Sequence, residues 1–171
     1  MQHMLIVATS GRALAQCAAR SGFSSVVLDC FGDTDTRKVA ASANVISDTS
    51  GIGIDGDRLL EAAEVLSPPH ETDALVYGAG FESDPELLER FSRRYPLRGN
   101  SPDVVRSVKD PISLTRLLDL AGLPHPETRL DPPEDDDCWL IKRIGGAGGQ
   151  HVRACENSSF EPGRDYFQRR V

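Results

Sequence analysis

Short apolar runs alternate with amphipathic segments through the first hundred residues. The runs that predict buried β-strands cover residues 4–8, 25–29 and 74–78, with a weaker one at 44–47. Helical spacing or composition marks residues 12–20, 57–66 and 85–94. Uninterrupted apolar strands separated by helices are typical of a parallel sheet covered on both faces, joined by right-handed crossovers. The fold class predicted for residues 1–100 is therefore a small, doubly wound, Rossmann-like α/β domain.

Polar residues mark the connections of this first domain. Residues 32–37 combine glycine with short polar side chains and predict a loop. Asp84 stands immediately before Pro85, an order that predicts an N-cap followed by the first turn of a helix.

The second part of the chain has a different pattern. Gly, Asn, Ser and Pro at residues 98–102 break every period and predict a domain boundary near residue 100. Residues 101–171 then show a helix that opens at Asp110 and Pro111, followed by strand-like segments at 139–142, 151–153 and 165–171. The acidic run 131–137 predicts a solvated loop. This order predicts a helix plus antiparallel strands in residues 101–171.

Composition excludes several classes of function. Lys and Arg total 19 against 26 Asp and Glu, so the formal net charge of −7 disfavours a nucleic-acid or anionic-membrane binder. No apolar run approaches the roughly 18–20 residues that span a bilayer, and the start lacks a signal-peptide pattern, so a cytoplasmic location is expected. The 4 cysteines are scattered without a C-x-x-C pair and are expected to be reduced thiols.

A glycine-rich segment at 145–149 carries the most informative chemistry. It has four glycines in five positions and follows a strand that bears Lys142. Such a loop lets backbone N–H groups approach a polyphosphate while a lysine offsets its charge. A flexible hairpin tip with a solvated lysine is the alternative, and the loop alone does not decide between them. The lysine precedes the glycines, which excludes a P-loop.

A dinucleotide-binding reading rests on two weak signals. Gly78 and Gly80 supply the first two glycines of a G-x-G-x-x-G pattern, but Ser83 occupies the third position. Asp29 ends the second strand and could accept a hydrogen bond from a ribose, although a capping or loop role fits it better. An NAD(P)-dependent oxidoreductase is thus one alternative function.

Three motifs in a fixed order resemble the ATP-grasp superfamily, and in particular its predicted ATP-dependent carboligases. They are Val108-Lys109-Asp110 before a helix, Trp139-Leu140-Ile141-Lys142 before the glycine loop, and the final segment 166–171. The resemblance covers the whole chain. It implies a pre-ATP-grasp α/β domain at 1–100 and a first, partial ATP-grasp lobe at 101–171.

The resemblance also implies site residues. The implied phosphate contacts are Lys109, Lys142 and the loop glycines Gly145, Gly146, Gly148 and Gly149. The implied adenine edge is the backbone from Gln168 to Val171, and Gln168 stands where a Glu is frequent in the family. No catalytic residue and no metal ligand is assigned within this chain.

As the family implies, the cofactors are ATP and Mg²⁺, and the substrate is a small carboxylate activated as an acyl phosphate before a nucleophile displaces the phosphate. The magnesium ligands are expected beyond the end of this chain, which would make it the amino-terminal portion of a longer ligase. By itself it is expected to be inactive and to bind ATP weakly or not at all. A non-catalytic nucleotide- or small-molecule-binding module is the other alternative, and a homodimer is compatible with the sequence.

Overall fold

The computed structural model describes residues 2–47, 54–134 and 138–171. The chain divides into two compact units, Met1–Pro102 and Asp103–Val171. None of the helices in the described residues is long and apolar enough to cross a membrane.

Unit 1 contains a four-stranded parallel sheet. Its strands, in the spatial order β3-β2-β1-β4, are β1 His3–Val7, β2 Ser24–Asp29, β3 Ser42–Val45 and β4 Ala74–Tyr77. The helices are α1 Arg12–Arg20, α2 Thr34–Val39, α3 Gly56–Leu66 and α4 Pro85–Ser92, with a short 3-10 turn at Pro69–Glu71. The predicted α/β fold class with a parallel sheet is confirmed.

The two faces of this sheet bury different residues, because successive side chains of a strand point to opposite sides. On one face Ile6 and Val27 pack against Ala15 and Ala18 of α1. The intervening residues Leu5, Val7, Val26 and Leu28, all at most 4% exposed, lie on the other face. Strands buried on both faces explain why the sequence shows continuous apolar runs rather than alternation.

The predicted loop at 32–37 is wrong, since α2 begins at Thr34. The Asp33 side chain caps this helix by accepting hydrogen bonds from the backbone amides of Asp35 at 3.0 Å and Thr36 at 2.9 Å. Thr36 is fully buried. A good N-cap and one anchoring side chain suffice for a six-residue helix that has no apolar period. The N-cap predicted at Asp84 is present, since its carboxylate accepts from the Leu87 amide at 3.0 Å.

Unit 2 consists of two helices and an antiparallel sheet. The helices are α5 Pro102–Lys109 and α6 Pro111–Leu120, and a 3-10 turn covers Cys155–Asn157. The strands, in the order β5-β8-β6-β7, are β5 Thr128–Arg129, β6 Trp139–Arg143, β7 Arg153–Ala154 and β8 Asp165–Arg169.

Two strand predictions in unit 2 need correction, and one strand was missed. The return strand begins at Arg153 rather than at residue 151, because the Val152 amide closes a turn on the Gly149 carbonyl at 3.0 Å. The last strand ends at Arg169. The two-residue strand β5 has no sequence signal and was not predicted. In the predicted acidic loop, residues 131–134 form no helix or strand, and 135–137 lie outside the described residues.

Alternation also separates the two faces of the second sheet. Trp139, Ile141 and Phe167 form a small core with Cys155 and Phe160 packed against it. Lys142 and Gln168 lie one residue out of phase with that core and therefore on the opposite face. The predicted phosphate-binding lysine thus lies on the face opposite the small core.

Candidate functional site

The glycine-rich segment forms the connection between β6 and β7. Three of its glycines, Gly145, Gly148 and Gly149, have φ of 73°, 71° and 78°. An L-residue with a side chain rarely adopts this left-handed region. The backbone path of the connection therefore requires glycine at these three positions.

Gly146 is required for a different reason, which is contact with His151. A Cβ at position 146 would stand 2.5 Å from Cγ and Cδ2 of the imidazole. The Nδ1 atom of His151 is buried and has no hydrogen-bond partner among the described residues. Buried polar atoms normally have a partner, so this unpaired nitrogen marks the loop as a place where a ligand group could bind.

Lys109, the last residue of α5, reaches the same loop. Its Nζ donates to the Gly146 carbonyl at 3.4 Å, across 37 positions of sequence. The helix places this ammonium group because Asp110 caps the next helix, accepting from the Ser113 amide at 2.7 Å, and so fixes the junction of α5 and α6.

Lys142 lies on β6 three residues before Gly145, and its ammonium group contacts the neighbouring strand. Its Nζ donates to Oε1 of Gln168 on β8. The Gln168 amide in turn donates from Nε2 to Oγ1 of Thr128 on β5 at 3.1 Å. Because Gln168 is neutral, it orients Lys142 without offsetting its positive charge.

Sequence reasoning missed Thr128, whose hydroxyl holds the Gln168 amide. It belongs to a two-residue strand, so no periodicity identified it. The structure thus joins two predicted residues, Lys142 and Gln168, directly, and Gln168 is held by Thr128, which pattern analysis could not find.

A buried charge cluster lies at the base of the loop. Asp165 is 1% exposed, and its carboxylate contacts Arg143 Nε at 2.8 Å and Arg153 Nη2 at 2.7 Å. Burial raises the pKa of Asp165, but the hydrogen bond from the Glu161 amide and the two arginines outweigh it and hold the pKa below its usual range. The sequence signal for this cluster was strand spacing, since Arg143 and Asp165 each stand two residues from a core residue, Ile141 or Phe167, and therefore lie on the same face of the sheet.

The segment predicted to read adenine begins inside the sheet. The amides of Arg169 and Arg170 donate to the carbonyls of Glu127 at 2.8 Å and Cys138 at 2.7 Å. Val171 is fully exposed. The amides of residues 169 and 170 are thus already used, and the reading of adenine by this backbone stays a prediction.

In unit 1, Asp29 has a structural role. Its side chain is fully buried and accepts three backbone N–H groups, from Gly11 at 3.0 Å, Phe31 at 3.1 Å and Gly32 at 2.7 Å. Both oxygens are occupied within the protein, which favours the loop-capping reading over a ribose contact.

Gly78, the first glycine after β4, also has a structural role. A Cβ at Gly78 would stand 2.8 Å from the Cβ of Ala8. Gly78 thus lets β4 end close to β1, a packing reason that does not need a dinucleotide.

The described residues contain no metal-binding cluster, and the cavity that they form in unit 1 lies outside the predicted site. Across residues 2–47, 54–134 and 138–171, no group of three or more His, Cys, Asp or Glu side chains could hold a metal ion. Mg²⁺ binding therefore stays a prediction. A shallow cavity in unit 1, lined among others by Val45, Arg58, Glu61 and Leu66, contains none of the predicted site residues.

Comparison with known proteins supports the fold. No protein-family model matches the sequence, and no curated protein matches it. Among solved structures, N5-carboxyaminoimidazole ribonucleotide synthetase from Thermotoga maritima matches with a TM-score of 0.64 and 19% identity, over 100% of this chain and 46% of that one. The Staphylococcus aureus N5-carboxyaminoimidazole synthetase complexed with ADP gives 0.67 and 18%, over 99% and 47%.

A carboxylase matches over a similar range. The biotin carboxylase domain of Hydrogenobacter thermophilus 2-oxoglutarate carboxylase, a dimer in complex with MgADP, ADP and bicarbonate, gives a TM-score of 0.69 at 15% identity. The match covers 98% of this chain and 44% of that one. The chain thus spans less than half the length of these structures, and it has the fold of the part of them that it matches, in agreement with the fold that the ATP-grasp resemblance predicted.

Proposed function

We propose that this chain is the amino-terminal part of an ATP-dependent carboxylate ligase, and that its second unit holds the phosphates of ATP. The observation that carries the proposal is the contact of Lys109 Nζ with the Gly146 carbonyl. It brings a cation from a separate helix onto the loop that follows Lys142. Two lysines and a glycine loop are a donor set suited to a polyphosphate.

The presence of lysine rather than arginine at positions 109 and 142 supports the same function. The chain has 3 lysines and 16 arginines, and two of the lysines are Lys109 and Lys142. An ammonium group is a compact point charge on a flexible stem, which suits a phosphate that moves during transfer. The third lysine, Lys38, is 67% exposed and pairs with Asp35 on the surface of unit 1.

The chain's own residues would act by binding and orienting. ATP, when bound, supplies the phosphoryl group that activates a carboxylate. Lys109 and Lys142 would offset the negative charge of its phosphates, and the loop amides would fix their position. The His151 ring lies beside Gly146, and its buried Nδ1 atom has no hydrogen-bond partner among the described residues.

The other features of the parent enzyme are proposals as well. Magnesium ligands beyond residue 171 and a small carboxylate substrate follow from the ATP-grasp resemblance. A homodimer is proposed because the matched biotin carboxylase domain is a dimer. The acidic run at 131–137 precedes the loop and is not proposed as a metal site.

Nucleotide binding is tested by titrating MgADP into the chain and following backbone amide shifts of residues 144–152 by NMR, which detects millimolar affinities. Lys109→Met and Lys142→Met are each expected to weaken binding about tenfold, the effect of one charge-assisted contact. Lys38→Met is the matched control and is expected to bind like the unsubstituted chain. Equal affinity in all three variants would place the site elsewhere.

Catalysis is tested separately from binding. ADP formation from ATP that depends on an added carboxylate, measured on the full-length gene product, supports the ligase. Nucleotide binding at the loop without any such turnover would instead support a non-catalytic binding module.

A further inference from the structure

We propose that Asp165 is a positioning residue that holds the glycine loop in the shape required for phosphate binding. The inference rests on the proposed function for its consequence in ligand binding. The positioning role itself rests on the contacts at the two ends of the loop and does not depend on the ligand.

One carboxylate joins the two ends of the loop. Arg143 is the last residue of β6 and Arg153 is the first residue of β7, so they flank residues 144–152 on either side. Arg143 contacts Oδ1 of Asp165 and Arg153 contacts Oδ2. The separation between the two stems of the loop is thereby set by a single side chain on a third strand, β8.

The same carboxylate also fixes the segment that precedes β8. Its Oδ2 accepts from the Glu161 amide at 3.2 Å, and the Glu161 side chain contacts Arg143 at 3.3 Å. The Arg164 carbonyl accepts from the Ile144 amide at 2.8 Å, at the first residue of the loop. The loop is therefore anchored on a network centred on Asp165.

The negative charge of Asp165 explains why a neutral side chain of the same shape would not hold the two arginines. The arginine side chains are 35% and 32% exposed, whereas the Asp165 carboxylate is 0% exposed. The two guanidinium groups are thus drawn to a buried anion on the side of the sheet away from Lys142. Without that anion they lose the partner that keeps the loop stems in register.

The test uses Asp165→Asn, which keeps the shape of the side chain and removes its charge. Amide hydrogen exchange of residues 144–152, measured without nucleotide, is expected to speed up about tenfold or more relative to the unsubstituted chain, as local opening becomes easier. Asp103→Asn, on an exposed ion pair with Arg106 in α5, is the matched control and is expected to leave this exchange unchanged.

Ligand binding supplies a readout that a general loss of structure would not give. Asp165→Asn is expected to weaken MgADP binding about tenfold while adenosine, which has no phosphate, binds as before. Equal weakening of both ligands would mean damage to the whole unit and would overturn the positioning role.

A second variant guards against a failure of Asp165→Asn to fold. Arg153→Gln alters a partly exposed side chain and is expected to speed exchange in the same loop. Unchanged loop exchange in a folded Asp165→Asn or Arg153→Gln variant would reject the inference, even if the lysine variants abolish nucleotide binding. If no variant affects nucleotide binding but loop exchange responds as expected, the proposed function fails and the loop anchor stands.

Discussion

The imidazole of His151 lies directly against the Cα of Gly146, and no side chain fits between them. A Cβ at residue 146 would stand 2.5 Å from two ring carbons and 2.6 Å from Nε2. The two ends of the glycine loop are thus packed on each other as well as joined through Asp165.

The first prediction concerns this contact. Gly146→Ala is expected to displace the ring or the loop and to cost about 1 kcal/mol of unfolding free energy, the lower end of the range for overpacking. Urea denaturation measures the stability, and amide shifts of residues 144–152 report the displacement. Adding His151→Ala removes the ring and is expected to restore most of the loss. A double variant no better than Gly146→Ala would mean that the clash is not with His151.

The second prediction concerns the buried acid of unit 1. Asp29→Asn is expected to lower the free energy of unfolding by about 2 kcal/mol, because an amide has one accepting oxygen where the carboxylate accepts three backbone N–H groups. Asp33→Asn is the matched control. Asparagine caps helices as well as aspartate does, so its effect on α2 is expected to be small. Stability equal in the two variants would show that Asp29 is not the anchor of its loop.

The third prediction tests the cap that fixes Lys109. Asp110→Ala removes the acceptor for the Ser113 amide and is expected to destabilise the protein by about 1 kcal/mol. Asp110→Asn preserves the cap and is expected to have less than half that effect. Thermal unfolding followed by circular dichroism compares the two. Equal losses would indicate that the carboxylate has a role beyond capping α6.

The fourth prediction is a pH dependence. His125 contacts Asp119 through Nε2 at 2.9 Å, and this hydrogen bond, with a smaller effect from the Pro126 carbonyl, raises the pKa of His125. Because the folded pKa lies above the unfolded one, the stabilisation is fully present below pH 6.5 and is lost as the pH rises through the folded pKa.

An NMR titration of the His125 ring in the unsubstituted chain and in Asp119→Asn measures this shift. The variant is expected to titrate at lower pH, closer to an ordinary histidine. An unchanged midpoint would show that Asp119 does not stabilise the imidazolium.

The site was partly accessible to sequence reasoning. Lys142 and the glycine loop were identified because their residue types are adjacent in sequence and have a clear chemical use. Lys109 was identified only through its place in a family motif, and its contact with Gly146 required the fold. Thr128 and the Asp165 cluster were missed because each depends on pairing between strands that are far apart in sequence.

The sequence by itself determined those elements whose buried residues recur at a regular spacing within a short segment. β1, β2 and β4 follow from apolar runs, and the N-caps Asp84 and Asp110 follow from short-range hydrogen bonding that needs only a few neighbouring residues. Tertiary structure decided what depends on distant partners. It made a helix of α2 by burying Thr36, created β5 by pairing it with β8, and placed a buried anion where both loop stems could reach it. Such contacts are stabilised only after the chain has closed on itself, so no local pattern specifies them.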